Sequence, residues 1–149
     1  MKKFLFLYLA VLLIPLFGQE KLAGKTAGVI FTKEEADSLF GSVLSSFEMS
    51  SKELSSYLSK TDSYMLFHYD PAKSKTPFIF DNSKSVMNMT AMKIEMPEEL
   101  KVYSVSQIKE LMEKGGQETT RIEQREGVIS ITNGEYTLEM SLDCPPFCP

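Results

Sequence analysis

The sequence predicts an α+β fold: three short helices packed on a mainly antiparallel sheet of six to eight strands, in one domain over residues 20–149. Three observations predict it. A helix-start device recurs three times, the segments between its copies carry strand patterns, and an Asn-Gly pair joins two strands whose apolar residues share a face.

The chain opens "MKKFLFLYLAVLLIPLFG", with Lys2 and Lys3 before an apolar run from Phe4 to Ile14, then Pro15 and Gly18. That run is short for a membrane span and has the layout of a secretory signal, so residues 1–19 are expected to be cleaved. About 130 residues remain, enough for one hydrophobic core. Cleavage removes Lys2 and Lys3, so 16 basic residues become 14 against 20 acidic ones, a net of −6. A chain so acidic lacks the clustered basic surface that nucleic acid or an anionic membrane requires. No membrane span is expected after cleavage. The short two-lysine start points to a bacterial envelope, periplasmic or secreted.

Each helix start consists of an apolar residue, a Ser or Thr, then Glu or Gln three positions later. Apolar residues follow at four, seven and eight from the cap. The sets are Phe31, Thr32, Glu35, Ala36, Leu39, Phe40; then Met49, Ser50, Glu53, Leu54, Tyr57, Leu58; then Tyr103, Ser104, Gln107, Ile108, Leu111, Met112. The cap hydroxyl accepts from a free N–H of the first turn, the Glu or Gln reaches back, and the apolar pair staples the entry. Helices are therefore expected near 33–40, 51–60 and 105–114. Gly41 and the pair Gly115-Gly116 stand where left-handed caps belong.

Between the helices, "SVLSSFEMS" and "YMLFHYD" read as strands, the second apolar on both faces and so central. In "GVISITNGEYTLEMSL", a type I′ turn at Asn133-Gly134 sets Thr132 opposite Glu135, Ile131 opposite Tyr136 and Ile129 opposite Leu138. The stretch "FIFDNSKSVMNM" aligns with "ISITNGEYTLEM" at an offset of 51, which suggests two related α-β-β-β halves.

Little in the chain points to chemistry. One histidine, His68, lies in an apolar strand beside Tyr69 and Asp70, where a structural role outweighs a catalytic one; an enzyme site around it is one alternative. The carboxylates Glu34, Glu35, Asp37, Glu98, Glu99, Glu123 and Glu126 read as a solvated surface. Met87, Met89, Met92 and Met96 offer thioethers for Cu(I), the copper-handling alternative, although Met92, Ile94 and Met96 alternate as a half-buried strand would. The tail at 143–149 places Cys144 and Cys148 around Pro-Pro-Phe. Export and the missing further ligands favour a disulfide between them, closed by a turn at Pro146-Phe147, over zinc or redox chemistry. No catalytic residue, metal or cofactor is assigned. The expected function is a non-enzymatic binding module of the cell envelope, taking a protein or envelope component on a sheet face, an edge, or the Ser/Thr-rich region at 42–63.

Overall fold

The computed structural model describes residues 24–88 and 95–149; the expected signal segment, Met89 and Met92 lie outside them. Nine strands and three helices follow one another as β1 (Val29–Thr32), α1 (Lys33–Phe40), β2 (Ser45–Ser50), α2 (Ser51–Leu58), β3 (Tyr64–His68), β4 (Phe78–Phe80), β5 (Leu100–Ser104), α3 (Val105–Gly115), β6 (Thr119–Arg125), β7 (Val128–Asn133), β8 (Tyr136–Glu139) and β9 (Leu142–Cys144). The α+β class is as the sequence predicts. The single sheet is not: the strands form two antiparallel sheets, ordered β1-β8-β7-β6-β2 and β4-β3-β5-β9.

All three helices begin where their caps predict, and each continues directly from a strand. An N-cap residue keeps extended backbone angles, so it can be the last residue of a strand and the first anchor of a helix. Thr32, Ser50 and Ser104 all do this, with ψ of 156°, 134° and 133°. The devices differ in detail. Thr32 and Glu35 form the full reciprocal box. Ser50 accepts from Lys52 N–H, while Glu53 accepts instead from the Tyr57 hydroxyl. The Ser104 hydroxyl leaves its helix uncapped and accepts from Ala27 N–H at 2.8 Å, tying the start of the described chain to β5. Of the expected left-handed caps, Gly116 is one (φ 63°, ψ 18°), whereas Gly41 has an extended ψ of 179°.

β3 is central as expected, flanked by β4 and β5. The β7–β8 register is not the expected one: Ile131 faces Leu138, Thr132 faces Thr137 and Asn133 faces Tyr136, so the two-residue loop is Gly134-Glu135. The shift moves the partners by two positions and keeps the apolar face intact. Its cause is Asn133, whose buried Nδ2 lies within hydrogen-bond distance of Gln117 C=O, Thr119 C=O, Thr120 Oγ1 and Ser51 Oγ for its two hydrogens to choose among, while its Oδ1 accepts from Gln117 N–H. A side chain so fully bonded belongs to the strand, and Gly134, with φ of 59°, takes the first turn position instead.

The α-β-β-β pattern appears in the second half as α3 followed by the β6-β7-β8 meander. In the first half α2 is followed by β3 and β4, and the third strand is reduced to a single bridge between Phe80 and Val86. The strand leading into each of these helices crosses to the other half's sheet: β2 pairs with β6, and β5 pairs with β3. One core therefore spans both sheets and the inner faces of α2 and α3, from Leu54 and Leu58 through Met65, Phe67 and Ile79 to Ile108, Leu111, Ile122, Ile131 and Leu138. A second cluster, Leu66, Phe80, Leu100 and Val102, occupies the other face of the four-stranded sheet and is packed by Phe147 and Cys148 of the tail.

Candidate functional site

The five-stranded sheet has an apolar face and a polar one. Alternation along β6, β7 and β8 puts Ile122, Ile129, Ile131 and Leu138 into the core and sends Glu123, Arg125, Ser130, Thr132, Thr137 and Glu139 to the opposite side. Such a face ordinarily meets water, yet all six residues are buried, Glu123 at 3% exposure and Arg125 and Glu139 at 0%. α1 and the chain leaving it account for this. Asp37 of α1 accepts from Arg125 Nη1 at 2.8 Å, and the Gly41 carbonyl accepts from the same nitrogen.

Arg125 organises the site. Its Nε donates to Ser130 Oγ at 3.1 Å and lies 3.1 Å from Glu139 Oε1; Ser130 donates in turn to Glu139. Thr132 donates to Glu123 Oε2 at 2.7 Å, and Arg121 Nε lies 3.2 Å from Glu123 Oε1. Lys33 on α1 holds the other oxygen of Asp37 at 2.8 Å. Three cations, Lys33, Arg121 and Arg125, thus face three carboxylates, Asp37, Glu123 and Glu139. Among the described residues, two buried side-chain atoms make no hydrogen bond: Arg125 Nη2, which is 3.8 Å from Glu123, and Glu139 Oε2. Burial pushes the Glu139 carboxyl above its ordinary range, against the pull of Ser130 and Arg125. Hydrogen bonds from Lys33 and Arg125 hold Asp37 below its own.

This arrangement corrects the reading of Glu123 as a solvated carboxylate; Glu34, Glu35, Glu98, Glu99 and Glu126 are exposed or largely so, and Asp37 is half-exposed while bound to Arg125. Arg125 and Glu139 were not legible as a site, because their alternation with the isoleucines is the pattern of any strand with one wet face. What buries them is the seating of α1, a contact between residues 88 positions apart.

The other candidates separate in space. His68 ends β3, half-buried, its ring stacked on Phe78 and its Nδ1 3.2 Å from the Glu99 carbonyl. It borders a groove of about 520 Å³ with Asp70, Lys73, Met96 and Glu99. Tyr69 is buried with its hydroxyl 3.0 Å from Ser45 Oγ, and Asp70 accepts from Ala72 N–H, while His68, Tyr69 and Asp70 line one shallow groove with Glu99 and Lys101. Of the methionines, Met87 packs against the main core and Met96 is exposed outside any strand. Among the described residues, no group of three His, Cys, Asp or Glu side chains is placed to hold a metal ion. Cys144 and Cys148 stand at disulfide distance, Sγ–Sγ 1.91 Å, with the chain reversing over Pro145-Pro146 rather than Pro146-Phe147.

No protein-family model, curated protein or solved structure matches this chain.

At the rim of the five-stranded sheet, β2 pairs among the described residues with β6 on one side only. The Ser51 N–H to Glu118 C=O bond at 2.8 Å sets the alternation, so Phe47 and Met49 direct their backbone groups to β6. Ser46 and Glu48 direct theirs outward, and both side chains are exposed. A groove lined by Glu48, Ser50, Lys52 and Glu118 runs beside this edge.

Proposed function

We propose that the protein is an exported, non-enzymatic binding module of the bacterial envelope, which takes an extended segment of a protein partner on the open edge of β2. The observation that carries the reading is that edge: two outward-facing residues at the rim of a five-stranded sheet, within the Ser/Thr-rich stretch at 42–63. An unpaired strand offers main-chain donors and acceptors in a fixed row, and a partner strand that completes them gains affinity from the backbone and specificity from alternate side chains. The signal-like pattern of residues 1–19 supports the location, and the acidic composition supports a protein partner over nucleic acid.

Proline tests the edge selectively. At Ser46 or Glu48 it removes only an outward N–H, so the fold is retained while strand addition is blocked. A photocrosslinker at Glu48 in the full exported chain is expected to capture one envelope protein, and Ser46→Pro is expected to abolish the capture with Tm within a few degrees of the parent. Capture that survives Ser46→Pro would remove β2 as the docking edge, and a full-length chain that stays in the cytoplasm would remove export.

A further inference from the structure

α1 is weakly attached for a helix that covers a buried face. It has eight residues and one buried side chain, Ala36, and Leu39 on it is 64% exposed. A helix of this length does not stand alone in water, and one alanine contributes little apolar burial. Its aromatic contact, Phe40 with Phe31 at 5.4 Å, ties its last residue to the edge strand β1, leaving the middle of the helix held by Ala36 and by polar groups. Its first residue donates from Lys33 N–H to the Glu135 carbonyl, and the side-chain attachment beneath it is the guanidinium of Arg125, through Asp37 and the Gly41 carbonyl.

That attachment is incomplete. A guanidinium presents Nη1 and Nη2 as a fork matched to both oxygens of one carboxylate. Asp37 engages Nη1 with one oxygen and gives the other to Lys33, which leaves Nη2 buried with no hydrogen-bond partner. A carboxylate free of α1 would take both nitrogens.

We propose that α1 is a strap docked over a carboxylate-recognition site, with Asp37 holding the place on Arg125 that a ligand's carboxylate takes when the strap lifts. The floor of that site is Arg125, flanked by Glu139 and Glu123, which accept from the Ser130 and Thr132 hydroxyls, all positioned by β6, β7 and β8. Exchange of Asp37 for a ligand replaces one anion on Arg125 by another, so no unpaired cation is left buried. Lys33 and Asp37 leave together as a pair on the strap. The ligand chemistry is a single carboxylate with a narrow neighbouring group, supplied by a peptide C-terminus or a sugar acid. The site uses none of the β2 edge residues, so it and the capture experiment fail separately.

Asp37→Ala tests the strap, because alanine favours the helix itself and any loosening then reports loss of docking. In the full chain, hydrogen exchange of the α1 amides is expected to speed up by about tenfold or more while β6–β8 remain protected. N-acetyl-trialanine with a free carboxylate, its C-terminal amide, and glucuronate are then titrated against both proteins. One of the two acids is expected to bind Asp37→Ala at least about fivefold more tightly than the parent, and the amide not to bind. Which acid binds decides between peptide and sugar. Arg125→Lys, which keeps the charge and loses the fork, is expected to abolish that binding. The proposal is overturned if α1 stays as protected in Asp37→Ala as in the parent, if neither acid binds, or if the amide binds equally. Should Arg125→Lys not fold, the exchange and the acid-against-amide comparison in Asp37→Ala decide the question alone.

Discussion

Asn133 and Glu139 show how one buried side chain can overrule a local pattern. In sequence, Asn133-Gly134 reads as a turn; in the folded chain its amide nitrogen faces acceptors on Ser51, Gln117, Thr119 and Thr120 and its oxygen accepts from Gln117 N–H, and placing it in a loop would strand these groups. Glu139 carries the opposite tension, a carboxylate at zero exposure with one oxygen unbonded. Its proton is held more tightly in the folded chain than at the ordinary value of 4.5. The stability this contributes is whole below that value and is lost as pH rises through the higher folded value. Asp37, whose affinity is lowered from 3.8, works the other way: its contribution is present above that value and is lost as pH falls through the folded one. Glu139→Gln removes the first effect and keeps an oxygen for Ser130 and Arg125. The Tm of Glu139→Gln minus that of the parent is therefore expected to grow more positive from pH 4.5 to pH 7.5 in thermal melts. A difference that is constant or shrinking over that window would show that Glu139 is not titrating as its burial requires.

The recurring element is a strand that becomes a helix at a single Ser or Thr. The sequence device locates α1, α2 and α3 because capping is local, set by residues three or four apart. Helix ends are set less locally. α3 ends at Gly115, where an added Cβ would stand 2.1 Å from Asn133 Oδ1 and 2.3 Å from the Asn133 carbonyl oxygen. The glycine is required by this approach of helix end to strand β7. Gly115→Ala is expected to cost about 3 kcal/mol in denaturant unfolding, since the clash involves backbone that cannot swing away. The same change at Gly41, where nothing lies within 4 Å, meets only the cost of its positive φ. A loss at Gly115 no larger than at Gly41 would refute the packing argument.

Across the whole molecule, crossing of β2 and β5 into each other's sheets makes the two halves inseparable. Each sheet is completed by a strand that belongs in sequence to the other half, and both close on one core. The tail closes the remaining apolar face: Phe147 and Cys148 pack on the cluster of Leu66, Leu100 and Val102, with the Lys25 ammonium 4.8 Å from the Phe147 ring centroid. The Cys144–Cys148 ring is too small to restrain the unfolded chain much, so its value is local. The double variant Cys144→Ser, Cys148→Ser is expected to lower Tm and retain a single transition, with far-ultraviolet and near-ultraviolet circular dichroism coinciding. Two separated transitions would mean that the sheets fold independently.

The sequence by itself determined where the helices start, the apolar face of β6, β7 and β8, and the central place of β3, and it favoured Cys148 as the neighbour of Cys144. Each depends on residues close together in the chain, through capping, period-two alternation, or a reach of four positions. Only the tertiary structure decided that there are two sheets, that Asn133 is a strand residue, and that Arg125, Glu123 and Glu139 lie beneath α1. Those outcomes depend on which distant surfaces meet. A polar strand face is written the same way whether water or a helix covers it; the difference is made by the seating of Asp37 on Arg125.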